Sequence, residues 1–222
     1  LYVNLADSKG EFDKTIDLGL QVTVVIDGST LLRDGSRVYA SSSDPPYSGI
    51  AVWYHENGQK RWERTYKNGE LDGLATQWYE NGQKRWERTY KDGNNNGKWT
   101  DWYENGKKER EVIFNDGEQI GYTEWYKSGQ KWKETTYKNG KKDGLWTFWY
   151  HNGQKSEERN YKNGEKDGKW TWWYKNGQKS SEYTHKNREL TEVTNWHENG
   201  QKDSEGTLKD GYKYGKWTEW YN

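Results

Sequence analysis

The four histidines come first, because acid–base and metal chemistry draw most often on that side chain. His55, His185 and His197 stand where other copies of the same segment carry Tyr, and His151 stands where Glu80, Glu104 and Lys175 do. No two of them have metal-ligand spacing within one strand or turn, so they read as swaps for an aromatic or polar residue. Carboxylates are plentiful but repeated, as at Glu63 and Glu87. A catalytic pair should be singular and sit in a pocket, so these read as charge pairing across a solvated sheet. Ser41, Ser42 and Ser43 lack any Gly-x-Ser-x-Gly setting. The segment DGNNNG (92–97) offers oxygen ligands for calcium but lacks the acidic density of a calcium loop, and reads as a solvated turn. These residues nominate no catalytic group, no metal site and no cofactor, and an enzyme is not expected.

One set of residues carries binding chemistry. Trp78, Trp102, Trp125, Trp149, Trp173, Trp196 and Trp220 recur at one place in each copy, with Tyr54 in the first. An aromatic row of this kind grips a protein partner or stacks sugar rings. The plainer reading is that the rings pack on neighbouring units, or on basic stems such as Arg85 by cation–π contact. Stacking of single-stranded nucleic acid also needs a basic groove. Lys+Arg and Asp+Glu balance at 35 each, so no nucleic-acid partner is expected.

The elements that position this row follow from a repeat. The turn glycine after each Trp-Tyr pair falls at Gly58, Gly82, Gly106, Gly129, Gly153, Gly177 and Gly200, and Trp220-Tyr221-Asn222 begins one more copy. The spacings are 24 or 23 residues, and a period of this size signals an array in which each unit buries its apolar face against its neighbours. All 16 tryptophans lie in residues 51–222, which hold few aliphatic residues, so burial must come from Trp and Tyr. No apolar run is long enough for a membrane span. Cysteine is absent, which excludes a disulfide framework. Methionine is absent too, even at position 1, which leaves room for a removed leader and tilts the expected location toward the cell envelope or outside.

Each unit reads as a hairpin. In the copy at 73–97 the strands are Leu74–Glu80 and Gln83–Tyr90, joined by Asn81-Gly82 as a two-residue type I′ turn. Lys91-Asp92-Gly93 then opens a longer connection. That register sets Trp78 opposite Arg85, Gln77 opposite Trp86 and Gly73 opposite Tyr90, with the Tyr90 ring lying across the bare backbone of Gly73. Because side chains alternate, Tyr79, Trp86 and Tyr90 share the denser aromatic face, the better core candidate, with the position of Trp99, Trp146, Trp170 and Trp217. The tryptophan row takes the other face. Residues 1–48 form an N-terminal cap, with alternating IDLGLQVTVVID (16–27), a hairpin turning at Asp34-Gly35, and Pro45-Pro46, which bar a central strand.

The pattern G-K-W-T-x-W-Y-x-N-G-Q-K, then Tyr and K-N-G-x-x-D-G, resembles the MORN-repeat variant of bacterial proteins, many of them labelled YwqK-family antitoxins. The likeness covers roughly residues 49–222, and the lead-in at 34–60 is similar to that family's usual entry segment. The resemblance implies an elongated array of β-hairpins and the neutralisation of a toxin partner; it supplies no catalytic residues. The chain departs from the pattern at 115–129, one residue short with Tyr122 for Trp. It departs again at 185–200, where Arg188 replaces Gly and RELTEVTN (188–195) lacks Gly-Lys-Trp; a bulge or looser connection is expected there.

The expected fold is therefore all-β: a cap at 1–48, then an elongated array of seven hairpin repeats plus a truncated eighth over 49–222. The expected function is a non-enzymatic scaffold for protein–protein interaction, of antitoxin or immunity type. The alternative is a structural or glycan-binding component of the envelope or an extracellular assembly, self-associating end to end through the C-terminal edge.

Overall fold

The computed structural model describes residues 24–220. The expected strand pattern at 16–23 and the last two residues of the truncated copy lie outside them. In chain order the strands are β1 (Val25–Asp27), β2 (Leu32–Asp34), β3 (Arg37–Tyr39), β4 (Gly49–Tyr54), β5 (Lys60–Lys67), β6 (Glu70–Trp78) and β7 (Lys84–Lys91). The next are β8 (Asn94–Trp102), β9 (Lys108–Asn115), β10 (Glu118–Trp125), β11 (Lys131–Lys138), β12 (Lys141–Lys142) and β13 (Gly144–Trp149). The last are β14 (Lys155–Lys162), β15 (Glu165–Trp173), β16 (Lys179–Lys186), β17 (Glu189–Trp196), β18 (Lys202–Lys209) and β19 (Tyr212–Glu219). A single 3-10 turn, Gly28–Thr30, follows β1.

Seventeen strands form one sheet. From β4 onward each pairs antiparallel with its neighbours in sequence, and β12 and β13 share the edge of β11. At the other end β1 runs parallel to β4. Such a ribbon is an elongated all-β repeat array, as the periodicity requires.

The two turn types are exchanged relative to expectation. At the hairpin tip, the Gly82 N–H donates to the Tyr79 carbonyl (3.0 Å) and the Tyr79 N–H to the Gln83 carbonyl (2.9 Å). Gly82 has φ +80° while Asn81 stays at negative φ, so the tip is a type I turn closed by a left-handed glycine, not a type I′ turn. That turn carries one extra residue. Gln77 faces Trp86 and Gly73 faces Tyr90, but after a bulge Trp78 faces Lys84 rather than Arg85. The type I′ turn lies instead in the connection between units. Asp92 (φ +47°) and Gly93 (φ +76°) form its two central residues, with Lys91 paired to Asn94. DGNNNG is therefore a tight turn running into β8, not an open loop. In the cap the hairpin turns at Gly35-Ser36, one residue later than expected, since Asp34 pairs with Arg37. Gly73 is crowded by Thr65, at 3.3 Å from a notional Cβ, and not by Tyr90.

Each connection also carries a bulge, for example between Arg88 and Thr89, Arg159 and Tyr161, and Gly206 and Thr207. The carbonyl this frees is taken by the Trp of the Gly-Lys-Trp motif. The Nε1–H of Trp99 donates to Thr89 (3.2 Å), that of Trp170 to Asn160 (2.8 Å) and that of Trp217 to Thr207 (3.0 Å). In the divergent unit, which lacks that Trp, the Thr191 hydroxyl donates to the Thr184 carbonyl instead (3.1 Å). The bulge expected there is present, between Thr184 and His185, but it is shared with the regular units. The connection is not looser: Asn187-Arg188 keeps the two-residue turn, with Arg188 at φ +74°. A side chain in that region costs about 1 kcal/mol or more, and the exposed Arg188–Glu165 ion pair offsets at most part of it. Arg188→Gly is expected to raise unfolding free energy by up to about 1 kcal/mol in urea titrations; a loss of stability would mean that the ion pair outweighs the strain.

The best-buried apolar cluster is Val38, Tyr47, Ala51 and Tyr66, with Ile26, Leu31, Ala40, Trp53 and Leu71 packed around it. Cap residues thus lie over the denser aromatic face of β4, β5 and β6. Farther along, burial is split between faces: Tyr161, Trp170 and His185 on the aromatic face, Thr76, Thr100, Thr147 and Thr171 on the other. The expectation of one core face is corrected in this respect. A single-layer sheet has no opposing layer, so long side chains must shield both of its surfaces.

Candidate functional site

The tryptophan row occupies one face, and each ring is seated by the preceding unit. A Lys Nζ from that unit lies over every ring: Lys60 over Trp78 (5.7 Å), Lys84 over Trp102 (5.6 Å), Lys108 over Trp125 (5.2 Å) and Lys131 over Trp149 (5.5 Å). Lys155 over Trp173 (5.7 Å), Lys179 over Trp196 (5.4 Å) and Lys202 over Trp220 (5.5 Å) complete the series. The expected cation, Arg85, lies instead over the ring of Tyr79 at 5.7 Å. The tip bulge is responsible, because it brings Lys84 rather than Arg85 opposite Trp78. The same lysines pair along their own strand with a glutamate three residues on, as Lys60–Glu63 and Lys131–Glu134 do. Across the strands each glutamate faces threonine, in an unbroken alternation that includes Thr76, Glu87, Thr100 and Glu111. Glu63 and Glu87 are thus ion-paired along the strand, and not across it as expected. At Glu111, burial alone would raise the carboxyl pKa, but the hydrogen bond and charge of Lys108, with Lys98 beside it, hold it below the ordinary value.

The backbone of each Trp is held from the same direction. The hydroxyl of Tyr79 donates to the Trp102 carbonyl (2.9 Å), Tyr103 to Trp125 (2.9 Å), Tyr126 to Trp149 (2.8 Å), Tyr150 to Trp173 (2.7 Å) and Tyr174 to Trp196 (2.9 Å). Burial raises the pKa of Tyr79, Tyr103 and Tyr126, in keeping with hydroxyls held as donors. His55, at a Tyr position, places Nε2 3.1 Å from the Trp78 carbonyl and fills the same role. At the tips, Asn81 Nδ2 donates to the next unit's Glu104 carbonyl (3.2 Å) while its Oδ1 accepts from the Gln83 N–H (2.9 Å). Gln59 then packs where a Cβ on Gly82 would stand, 2.7 Å away. The Asn-Gly-Gln signature is therefore a coupling between units: Asn reaches forward, Gly leaves room, and Gln fills it.

The resulting surface is a strip of half-buried indoles, one per hairpin, each flanked by an ammonium and a carboxylate. Of the seven, Trp220 is the most open at 38% exposure. Two strands separate successive rings, so the step is about 10 Å. The opposite face stacks rings and cations without such regularity. Arg88 lies 4.6 Å from both the Trp86 and Trp99 centroids, and Arg64 lies 4.2 Å from that of Trp62.

The remaining histidines are structural. His151 stacks on Tyr126 with centroids 3.7 Å apart. His197 lies 3.5 Å from Asp203. His185 is buried against Trp170, 5.0 Å between centroids. Burial, with the nearby Lys166 charge, pushes its pKa down, and only partly does a hydrogen bond with the Gly168 backbone oppose this. The unfolded chain then takes up a proton on this ring before the folded chain does. Stability linked to His185 is whole above pH 6.5 and is lost as pH falls through the lowered folded value. Wild type is expected to lose stability between about pH 7 and 5 more steeply than His185→Phe in chemical denaturation; equal slopes would exclude the coupling.

Two open concavities lie outside the row. One, of about 370 Å³, is lined by Asp27, Trp53, Tyr54, Arg61, Trp62 and Arg64 at the junction of cap and array. The other follows the turns near Lys141, Lys162, Lys166 and Arg188. Among the described residues no helix is long and apolar enough to cross a membrane, which says nothing of spans built from strands.

With this geometry in place, comparison with known families gives one match. The family described as MORN repeat variant matches residues 47–68, 71–92, 95–116, 122–139, 142–163 and 166–187, more than half of the chain. No curated protein matches it.

Proposed function

The chain belongs to the MORN repeat variant family, and we propose that it is a non-enzymatic repeat scaffold that binds a protein partner through its tryptophan-row face. MORN repeats serve generally as scaffolds that bind proteins or membranes. The observation that carries the reading for this chain is the sevenfold repetition of one Trp–Lys setting, with each ring half-buried and presented at a constant step. A catalyst concentrates unlike groups at one place; here like groups are distributed along a surface. The specific form of the proposal is a toxin-neutralising partner, which follows from the antitoxin label of the family resemblance. A second reading, a glycan ligand, is favoured by the ring step of about 10 Å, though lysine takes one side of each indole.

Affinity capture with the whole chain as bait tests this. One stoichiometric protein is expected, with recovery falling about tenfold or more for the Trp149→Ala, Trp173→Ala double variant. Recovery of polysaccharide alone, of the bait alone, or of a protein indifferent to these substitutions would contradict the proposal.

A further inference from the structure

Asparagine followed by glycine occurs in nine turns of this chain, at Asn57, Asn68, Asn81, Asn105, Asn139, Asn152, Asn163, Asn176 and Asn199. The pair has its own chemistry. The glycine nitrogen, after losing its proton, attacks the asparagine side-chain carbon; an N–C bond forms and ammonia leaves. Water then opens the resulting five-membered imide at either carbonyl, giving aspartate or isoaspartate. A glycine N–H already donated to an acceptor is a poor nucleophile, because the bond must open first.

Eight of the nine glycines are held in that way. At the tips, the N–H groups of Gly58, Gly82, Gly106, Gly153, Gly177 and Gly200 donate to the carbonyl three residues back at 2.9–3.0 Å. Between units, Gly69 donates to the Tyr47 carbonyl and Gly164 to that of Lys142, both at 2.7 Å. Gly140 has no acceptor among the described residues, and the exposed Asn139 amide has no hydrogen-bond partner there either. The repeat length explains the exception. Gly93, Gly117 and Gly164 reach back to the preceding unit, at Leu71, Asn95 and Lys142. Gly140 follows the short unit, with 23 rather than 24 residues between Asp116 and Asn139, and the carbonyl it should meet is displaced. Gly211, after the other short unit, also lacks this bond, but it follows Asp210. A tenth pair, Asn96-Gly97, lies half-buried inside β8.

We propose that Asn139 is the deamidation site of this protein, selected by the missing hydrogen bond at Gly140. The fold accepts the aspartate product: Asp92, Asp116 and Asp210 hold the same turn position at φ +47° to +53°, against +52° for Asn139. The new carboxylate arises between Lys138 and Lys141, and converts a wholly cationic turn into a mixed one. The isoaspartate product lengthens the backbone of a two-residue turn and disturbs the pairing of Lys138 with Lys141.

The test is peptide mapping by mass spectrometry, with isoaspartate resolved from aspartate, after incubating the folded chain in mildly alkaline buffer. Conversion at Asn139 is expected to be about fivefold or more faster than at Asn68 or Asn163, the ratio set by one backbone hydrogen bond. In the chain held in denaturant the advantage should vanish. Equal rates at the three sites in the folded chain would overturn the proposal, and so would an Asn139 advantage that persists in denaturant.

Discussion

Replacing Trp170 by Ala is expected to lower unfolding free energy by about 3–5 kcal/mol, the range for truncating a buried aromatic. Trp170 is only 7% exposed in a sheet that has one layer. Its ring lies 5.2 Å from that of Tyr161 and 5.0 Å from that of His185, with the Lys166 ammonium at 4.6 Å and the Arg159 guanidinium at 5.3 Å. Its Nε1–H also satisfies the bulge carbonyl of Asn160. In a linear array each unit is stabilised only by its neighbours. The substitution should therefore divide one urea transition into two, as the units beyond β15 separate from the rest. Trp170→Phe should recover most of the packing and leave a loss of about 1–2 kcal/mol for the unpaired carbonyl. A loss below about 1 kcal/mol for the alanine variant would show that rings do not replace an aliphatic core here.

Tyr47→Ala is the second large effect, again about 3–5 kcal/mol, and it should be confined to the other end. The Tyr47 hydroxyl donates to the carbonyls of Val24 (3.0 Å) and Ile50 (2.9 Å), so it ties the cap to the first strand of the array. Burial, then the neighbouring Tyr66, pushes its pKa up to about 12. Its ring meets that of Tyr66 edge-on at 6.2 Å within the best-buried cluster. Loss of the side chain should release the cap from β4, β5 and β6 and expose Trp53. A red-shifted tryptophan emission with little change in the far-ultraviolet β signal is expected. Tyr47→Phe should cost about 1 kcal/mol. If the alanine variant melted as one unit with the array, cap and repeats would form a single cooperative body instead.

Much of this was legible in the residues, and the failures have local causes. The period gave the hairpins, and alternation placed Trp78 on the face opposite Tyr79. Register was legible as far as Gln77 opposite Trp86, because both strands there are regular. It failed at Trp78 because Asn-Gly serves two turn types. At the tips only glycine is left-handed; between units both Asn68 and Gly69 are, with φ +50° and +80°. The dipeptide alone does not separate them, although tip Asn residues are followed by Gln or Lys and then Lys, which supplies the bulge. The cation over each Trp was foreseen as a type of contact but assigned to Arg85, an error inherited from that turn. The forward reach of Tyr and Asn into the next unit was not visible from one hairpin in isolation. Its only signal was that Tyr and Asn-Gly-Gln recur in nearly every copy with nothing in their own unit to require them.

The row itself gives the most direct test of the account. Trp78, Trp102, Trp125, Trp149, Trp173 and Trp196 should be replaced by Ala one at a time, with partner affinity and unfolding free energy measured for each. A contiguous set is predicted to weaken binding by about 1–2 kcal/mol per residue, beyond any loss of stability, while rows outside the footprint leave binding unchanged. Binding abolished by one residue and indifferent to its neighbours would indicate a singular site. Stability lost at every position with affinity untouched would assign the row to the internal packing of the array and not to recognition.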